Sequence, residues 1–189
     1  MTVNCAYVHK GKAKAYGLIK GGEVHHTDWG KGEVRELSGM FDTLPKHFAS
    51  GVDAAYAHTS GAYGFIKGGE VHHTDWGKGE VKPLSVFFRT LPESFRAGVD
   101  AAYANPGGTY GFLKGNKMHH SDWGKGVMKS LEEMYPTLPK HFASGVDAAY
   151  SRPAAYGLIK GSEVHHTDWE EGEAKPLGVF FPSMPRSWQ

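Results

Sequence analysis

The sequence predicts an all-β fold, a four-bladed β-propeller with one short helix per blade, and three observations carry that prediction. A unit of 46 or 47 residues occurs four times. Each unit holds three or four strand-sized segments separated by turn residues. Glycine, at 26 of 189 residues, is about twice its usual frequency of ~7%. One small sheet cannot bury both of its faces, whereas four arranged radially can.

The repeat is explicit. GGEVHHTDWGKGEV stands at 21–34 and again at 68–81, returns as GNKMHHSDWGKGVM at 115–128, and closes as GSEVHHTDWEEGEA at 161–174. TLPKHFASGVDAAY is identical at 43–56 and 137–150. The pairs His25-His26, His72-His73, His119-His120 and His165-His166 mark the register. Blades are expected at about 3–48, 52–95, 99–142 and 146–189, within one domain covering 1–189.

Each unit opens with a Val-Asx-x-Ala-Tyr segment, such as Val52 to Tyr56. Its small and β-branched residues suit a strand packed close to an axis. A polar turn leads to a second strand, as in Tyr63-Gly64-Phe65-Ile66-Lys67, which Gly68 ends. The glycine turn and the run Glu70 to Trp76 complete a hairpin. A Gly-Lys-Gly turn and the stretch Leu84 to Phe88 follow, and Leu91-Pro92-Glu93-Ser94-Phe95 reads as a helical turn because Pro suits a first helical position.

Val-Asp-Ala-Ala-Tyr, Tyr-x-Phe-x-Lys-Gly, Asp-aromatic and Phe-x-x-Leu-Pro-x-x-Phe, four times in order, resemble the hemopexin repeat over the whole chain. The disulfide-free, single-domain form is most similar to plant hemopexin-fold proteins, including legume albumin-2 seed proteins, and to small bacterial hemopexin-like proteins. Vertebrate and metalloproteinase relatives tie blade one to blade four with a disulfide, but Cys5 is the only cysteine here. Closure is therefore expected from packing, with Phe181 and Trp188 covering blade one.

Charge narrows the function classes. With 21 Lys+Arg against 20 Asp+Glu the formal charge is +1, so no global field favours nucleic acid or anionic lipid. No apolar run is long enough to span a membrane. Met1 to Tyr7 lacks the basic and apolar regions of a secretory signal, which points to the cytoplasm or, with the resemblance, a storage vacuole. A single thiol excludes CxxC zinc sites. No nucleophile elbow or phosphate-cradling loop occurs, so the expectation is a binding protein with no enzymatic activity beyond what bound haem would confer.

Two sets of residues are candidates for ligand binding. Asn4, Asp53, Asp100 and Asp147 begin the innermost strands, and a ring of oxygens there suits a hard cation, Ca²⁺ or Na⁺; the resemblance implies an ion held largely by main-chain oxygens. The competing reading is that each Asx caps its strand end. The eight paired histidines are the candidate haem ligands. Adjacent strand residues face opposite ways, and equivalent histidines two strands from the axis stand about 10 Å out, so no single four-histidine centre can form. Each blade is instead expected to offer a surface imidazole to haem iron, which two chains could sandwich in a ligand- or metal-dependent homodimer. The alternative is that one histidine of each pair packs between blades. Trp29, Trp76, Trp123 and Trp169 read as blade packing, with stacking on sugar or porphyrin as the alternative. Lys20, Lys67, Lys114 and Lys160 read as solvated turn lysines, with haem propionates as alternative partners. Haem with a tunnel cation is the leading ligand expectation; a lectin, or a seed albumin that binds polyamine, is the other.

Overall fold

The computed structural model describes residues 3–9 and 15–189. Met1 and Thr2, part of the segment read for a leader, lie outside them. Blade one contains β1 (Cys5–Val8), β2 (Tyr16–Lys20), β3 (Glu23–His26), β4 (Arg35–Glu36), the single-turn helix α1 (Leu37–Met40) and a 3₁₀ turn at Lys46–Phe48. Blade two repeats this with β5 (Ala54–Ala57), β6 (Tyr63–Lys67), β7 (Glu70–His73), β8 (Lys82–Pro83), α2 (Leu84–Phe87) and Glu93–Phe95. Blade three has β9 (Ala101–Ala104), β10 (Tyr110–Lys114), β11 (Lys117–His120), β12 (Lys129–Ser130), α3 (Leu131–Met134) and Lys140–Phe142. Blade four has β13 (Ala148–Arg152), β14 (Ala155–Lys160), β15 (Glu163–His166), β16 (Lys175–Pro176), α4 (Leu177–Phe180) and Arg186–Trp188.

Every blade is an antiparallel four-stranded meander built from consecutive chain. The innermost strands β1, β5, β9 and β13 each lie beside two others and close the ring. Each β2–β3 type of hairpin turns on a glycine with φ of +54° to +58°, at Gly21, Gly68, Gly115 and Gly161, a conformation that costs a Cβ-bearing residue energy. The stretch Leu84 to Phe88 opens with α2. The fourth strand is only two residues long, and Leu84 starts a helix whose first side chain is fully buried. The strand is equally short in every blade, whether it ends in Glu36, Pro83, Ser130 or Pro176.

The apolar interior is divided into four wedges between neighbouring blades. The wedge between blades one and two holds Ile19, Val24, Leu37 and Phe48 against Ala55 and Phe65. The wedge that closes the ring joins Ala6, Tyr16 and Leu18 to Tyr150, Phe181, Met184 and Trp188. Phe181 and Trp188 thus cover blade one, and Cys5 stays a buried free thiol. Lys20 Nζ donates to the Ser187 carbonyl at 2.6 Å and Gly32 N to the Ser183 carbonyl at 2.7 Å, joining the chain's end to blade one. Among the described residues no helix is long and apolar enough to cross a membrane.

Candidate functional site

The strand register decides where the histidines go. In each blade the opening tyrosine, a glycine of the second strand and the second histidine lie in one cross-strand row: Tyr56 opposite Gly64, and Gly64 opposite His73. A Cβ on Gly64 would stand 2.2 Å from Tyr56 Cζ, so the tyrosine lies across the glycine and its hydroxyl reaches His73 Nε2 at 2.6 Å. The same bond forms from Tyr7 to His26 at 2.7 Å, Tyr103 to His120 at 2.6 Å and Tyr150 to His166 at 2.5 Å.

The first histidine of each pair faces the other way and ties blade to blade. His72 Nδ1–H donates to the Glu80 carbonyl at 2.7 Å, while Thr43 of blade one meets its Nε2 at 3.1 Å. Thr90 with His119, Thr137 with His165 and Ser183 with His25 repeat the contact around the ring. Replacing Thr90 with Val removes the partner of a buried imidazole nitrogen, and the expected loss is about 1–3 kcal/mol of stability. The urea midpoint of unfolding measures it, and an unchanged midpoint would contradict the contact.

The expectation of a surface imidazole on each blade is therefore corrected. All eight paired histidines are buried, because one of each pair packs between blades and the other serves the tyrosine row. Burial holds His26, His73 and His166 neutral, with pKa values lowered to about 4, chiefly by desolvation. The next contribution is the neighbouring His9 for His26 and Arg152 for His166; beside His73, Asp75 opposes the shift.

The tryptophans pack over the second histidines. Trp76 lies 4.6 Å from the His73 ring, centroid to centroid, and Lys82 Nζ sits 4.0 Å from its ring centroid. Trp29 stands between His26 and Arg35 in the same way, and Trp169 between His166 and Lys175. These rings complete the wedges and carry a cation where a sugar would stack. The lysines depart from the solvated reading as well. Lys67 Nζ donates to the His47 and Gly51 carbonyls and to Ser50 Oγ of the preceding unit at 2.7–3.1 Å, and Lys114 and Lys160 repeat the stitch.

What remains open is the axial channel. Its entrance at the start of the innermost strands is a cavity of about 660 Å³ that Asn4, Asp53, Asp100 and Asp147 line together with Lys114, Ser144 and Lys160. The sequence reading placed these four Asx residues on one ring, and they do share this mouth. Each also caps its blade: Asp53 Oδ2 accepts the Gly68 N–H, Asp100 that of Gly115 and Asp147 that of Gly161, all at 2.7 Å, and Asn4 Oδ1 accepts from Gly21 at 3.1 Å. Among the described residues no three His, Cys, Asp or Glu side chains gather closely enough to hold a metal ion.

Donor and acceptor accounting gives this mouth its chemistry. An ionised carboxylate has about four acceptor positions, and each aspartate commits one oxygen to a turn glycine. An ammonium has three donors, and the two lysines of the mouth each spend two of them inside the protein, Lys114 on the Ser94 and Gly98 carbonyls and Lys160 on Ser144 Oγ and the Gly145 carbonyl. The mouth thus presents more spare acceptors than spare donors. Sequence reasoning missed the tyrosine of the opening strand, although an invariant glycine opposite it in all four copies was the available signal.

No model of a known family matches the chain, and no curated protein does. Solved structures do. A 2S albumin seed protein from Dolichos superposes with a TM-score of 0.79 at 20% identity over 97% of both chains. The hemopexin-fold protein CP4 from cow pea gives 0.78 at 18% over 96% of each. A plant lectin with two metal-binding sites from Cicer arietinum gives 0.76 at 16%, again over 96% of each. The chain has the four-bladed hemopexin fold of these plant proteins.

Proposed function

We propose that the protein binds small donor-rich cations of the polyamine class at the aspartate-lined mouth of its axial channel. The observation that carries this reading is the ring of Asp53, Asp100 and Asp147 with Asn4 around one cavity, in which carboxylate oxygens stay available while the adjoining Lys114 and Lys160 turn most of their donors to the protein's own carbonyl and hydroxyl oxygens. Among the described residues no three of the carboxylates gather on one point, an arrangement that suits an extended chain of ammonium groups better than a compact metal. Ca²⁺ or Na⁺ in the channel would rest on main-chain oxygens and compete only where the two sites overlap. Seed albumins and lectins share this fold, which agrees with a binding rather than a catalytic role.

Calorimetric titration with spermine tests it. Binding should weaken as salt rises, because the contacts are exposed charges, and the Asp53→Asn, Asp100→Asn, Asp147→Asn triple variant should lose on the order of tenfold or more in affinity. Asparagine keeps the acceptor for each turn glycine, so the fold is retained. Equal affinity in the two proteins would refute the assignment.

A further inference from the structure

The opposite end of the channel is built differently. A cavity of about 320 Å³ opens where the innermost strands end, lined by Tyr7, Tyr56, Tyr103 and Tyr150, by small apolar groups such as Ala6, Ala57 and Ala104, and by Arg152. No carboxylate is among the described residues that line it. Pockets of this size with an apolar wall and a few placed polar groups are the usual form of a small-molecule site.

The repeats diverge at this end. The turns that follow the innermost strands read His58-Thr59-Ser60-Gly61, Asn105-Pro106-Gly107-Gly108 and Arg152-Pro153-Ala154, whereas the hairpins at the aspartate end are nearly the same in every copy. A fourfold ring duplicates its structural residues, so only positions that break the symmetry can build one unique site. Among the described turns, that of blade four breaks it most. Its ladder runs on to pair Arg152 with Ala155, and Ala154 in the tight turn has φ +66°, the one positive φ outside glycine among the described residues. Such a conformation persists only where the surroundings hold it.

That turn fixes Arg152 at the rim. One guanidinium nitrogen donates to both Asp168 oxygens at 2.7 Å. Nε is buried and makes no hydrogen bond of good geometry among the described residues, although the guanidinium lies beside the Tyr16 hydroxyl. Ser151 Oγ donates to Asn105 Oδ1 at 3.1 Å and joins blades three and four on the same side. The cavity therefore has a polar side from blades three and four, where Arg152 is held by its ion pair with Asp168 and keeps further guanidinium donors, and alanines and tyrosine rings along the rest of its described lining.

We propose that this tyrosine-lined mouth is a second binding site, one that takes a small amphipathic organic anion, an aromatic or aliphatic carboxylate with its carboxylate on Arg152 and its body against the alanines and tyrosines. Its anion preference is opposite to that of the aspartate mouth, and the two sites stand or fall separately.

The test titrates 4-phenylbutyrate, and separately its uncharged amide, into the full chain and follows the ligand by saturation-transfer NMR and calorimetry. The acid should bind about tenfold or more tighter than the amide, the value of a charge-assisted contact to arginine. Arg152→Lys should weaken the acid while sparing the amide. Thr59→Trp, which fills the rim and leaves Arg152 in place, should weaken both. The aspartate triple variant should bind the acid as wild type does. Equal binding of acid and amide, indifference to both substitutions, or no binding at millimolar acid would each overturn the proposal.

Discussion

Lowering the pH from 7 to 4 should unfold the propeller cooperatively, with most of the loss falling between pH 6.5 and 4. His26, His73 and His166 have pKa values of about 4 in the folded chain against about 6.5 when solvated. In that window the unfolded chain binds more protons, so stability is intact above the unfolded pKa and is lost as pH falls toward the folded one. One pKa unit is worth about 1.4 kcal/mol, which makes each of these histidines responsible for about 3 kcal/mol. Three of them approach the ~5–15 kcal/mol that a domain usually has in total. His119, His120 and His165 are lowered too, chiefly by desolvation, and act in the same direction. Near-UV circular dichroism across the range reads the transition, and imidazole proton shifts read the pKa values directly. A native spectrum persisting to pH 3 would contradict the tyrosine–histidine rows.

Gly64→Ala should be among the most damaging single substitutions in the molecule. Its Cβ would meet Tyr56 Cζ at 2.2 Å, so the tyrosine must move and release His73. Overpacking costs about 1–3 kcal/mol and a buried polar pair left unsatisfied about 1–3 kcal/mol more. A loss of about 3–5 kcal/mol corresponds to a fall in Tm of roughly 10 °C for a chain of this size. Tyr56→Phe removes the hydroxyl but keeps the ring, and should cost less. Combining the two should cost less than their sum, because both break the same bond. Thermal melts of the three variants decide it, and an alanine at 64 that leaves Tm unchanged would mean that the tyrosine does not lie across the strand.

The fold was legible because a repeat multiplies its own signal. Four copies of the opening segment, the glycine-ended strand and the His-His run pointed to radial sheets, and the absence of a cystine partner for Cys5 pointed to closure by Phe181 and Trp188. The direction of each histidine was half legible: alternation along a strand separated His72 from His73, but it could not say that neither faces water. That depends on Thr43 from the neighbouring blade and on the empty space above Gly64, both set by register and blade contact. The lysines misled for a similar reason, since Lys67 looks like a turn residue until the carbonyls of the preceding unit are placed beside it. Arg152 drew no notice because it belongs to no repeat, which is the property that makes it distinctive in the folded ring.

If the aspartate-lined mouth receives a polycation, a crystal structure of the chain soaked in spermine will show it there. The predicted result is elongated density across that mouth, with ammonium nitrogens within hydrogen-bond distance of Asp53, Asp100 and Asp147, lost in the triple asparagine variant. Density at the tyrosine end or on the outer blades, with an empty aspartate ring, would contradict it.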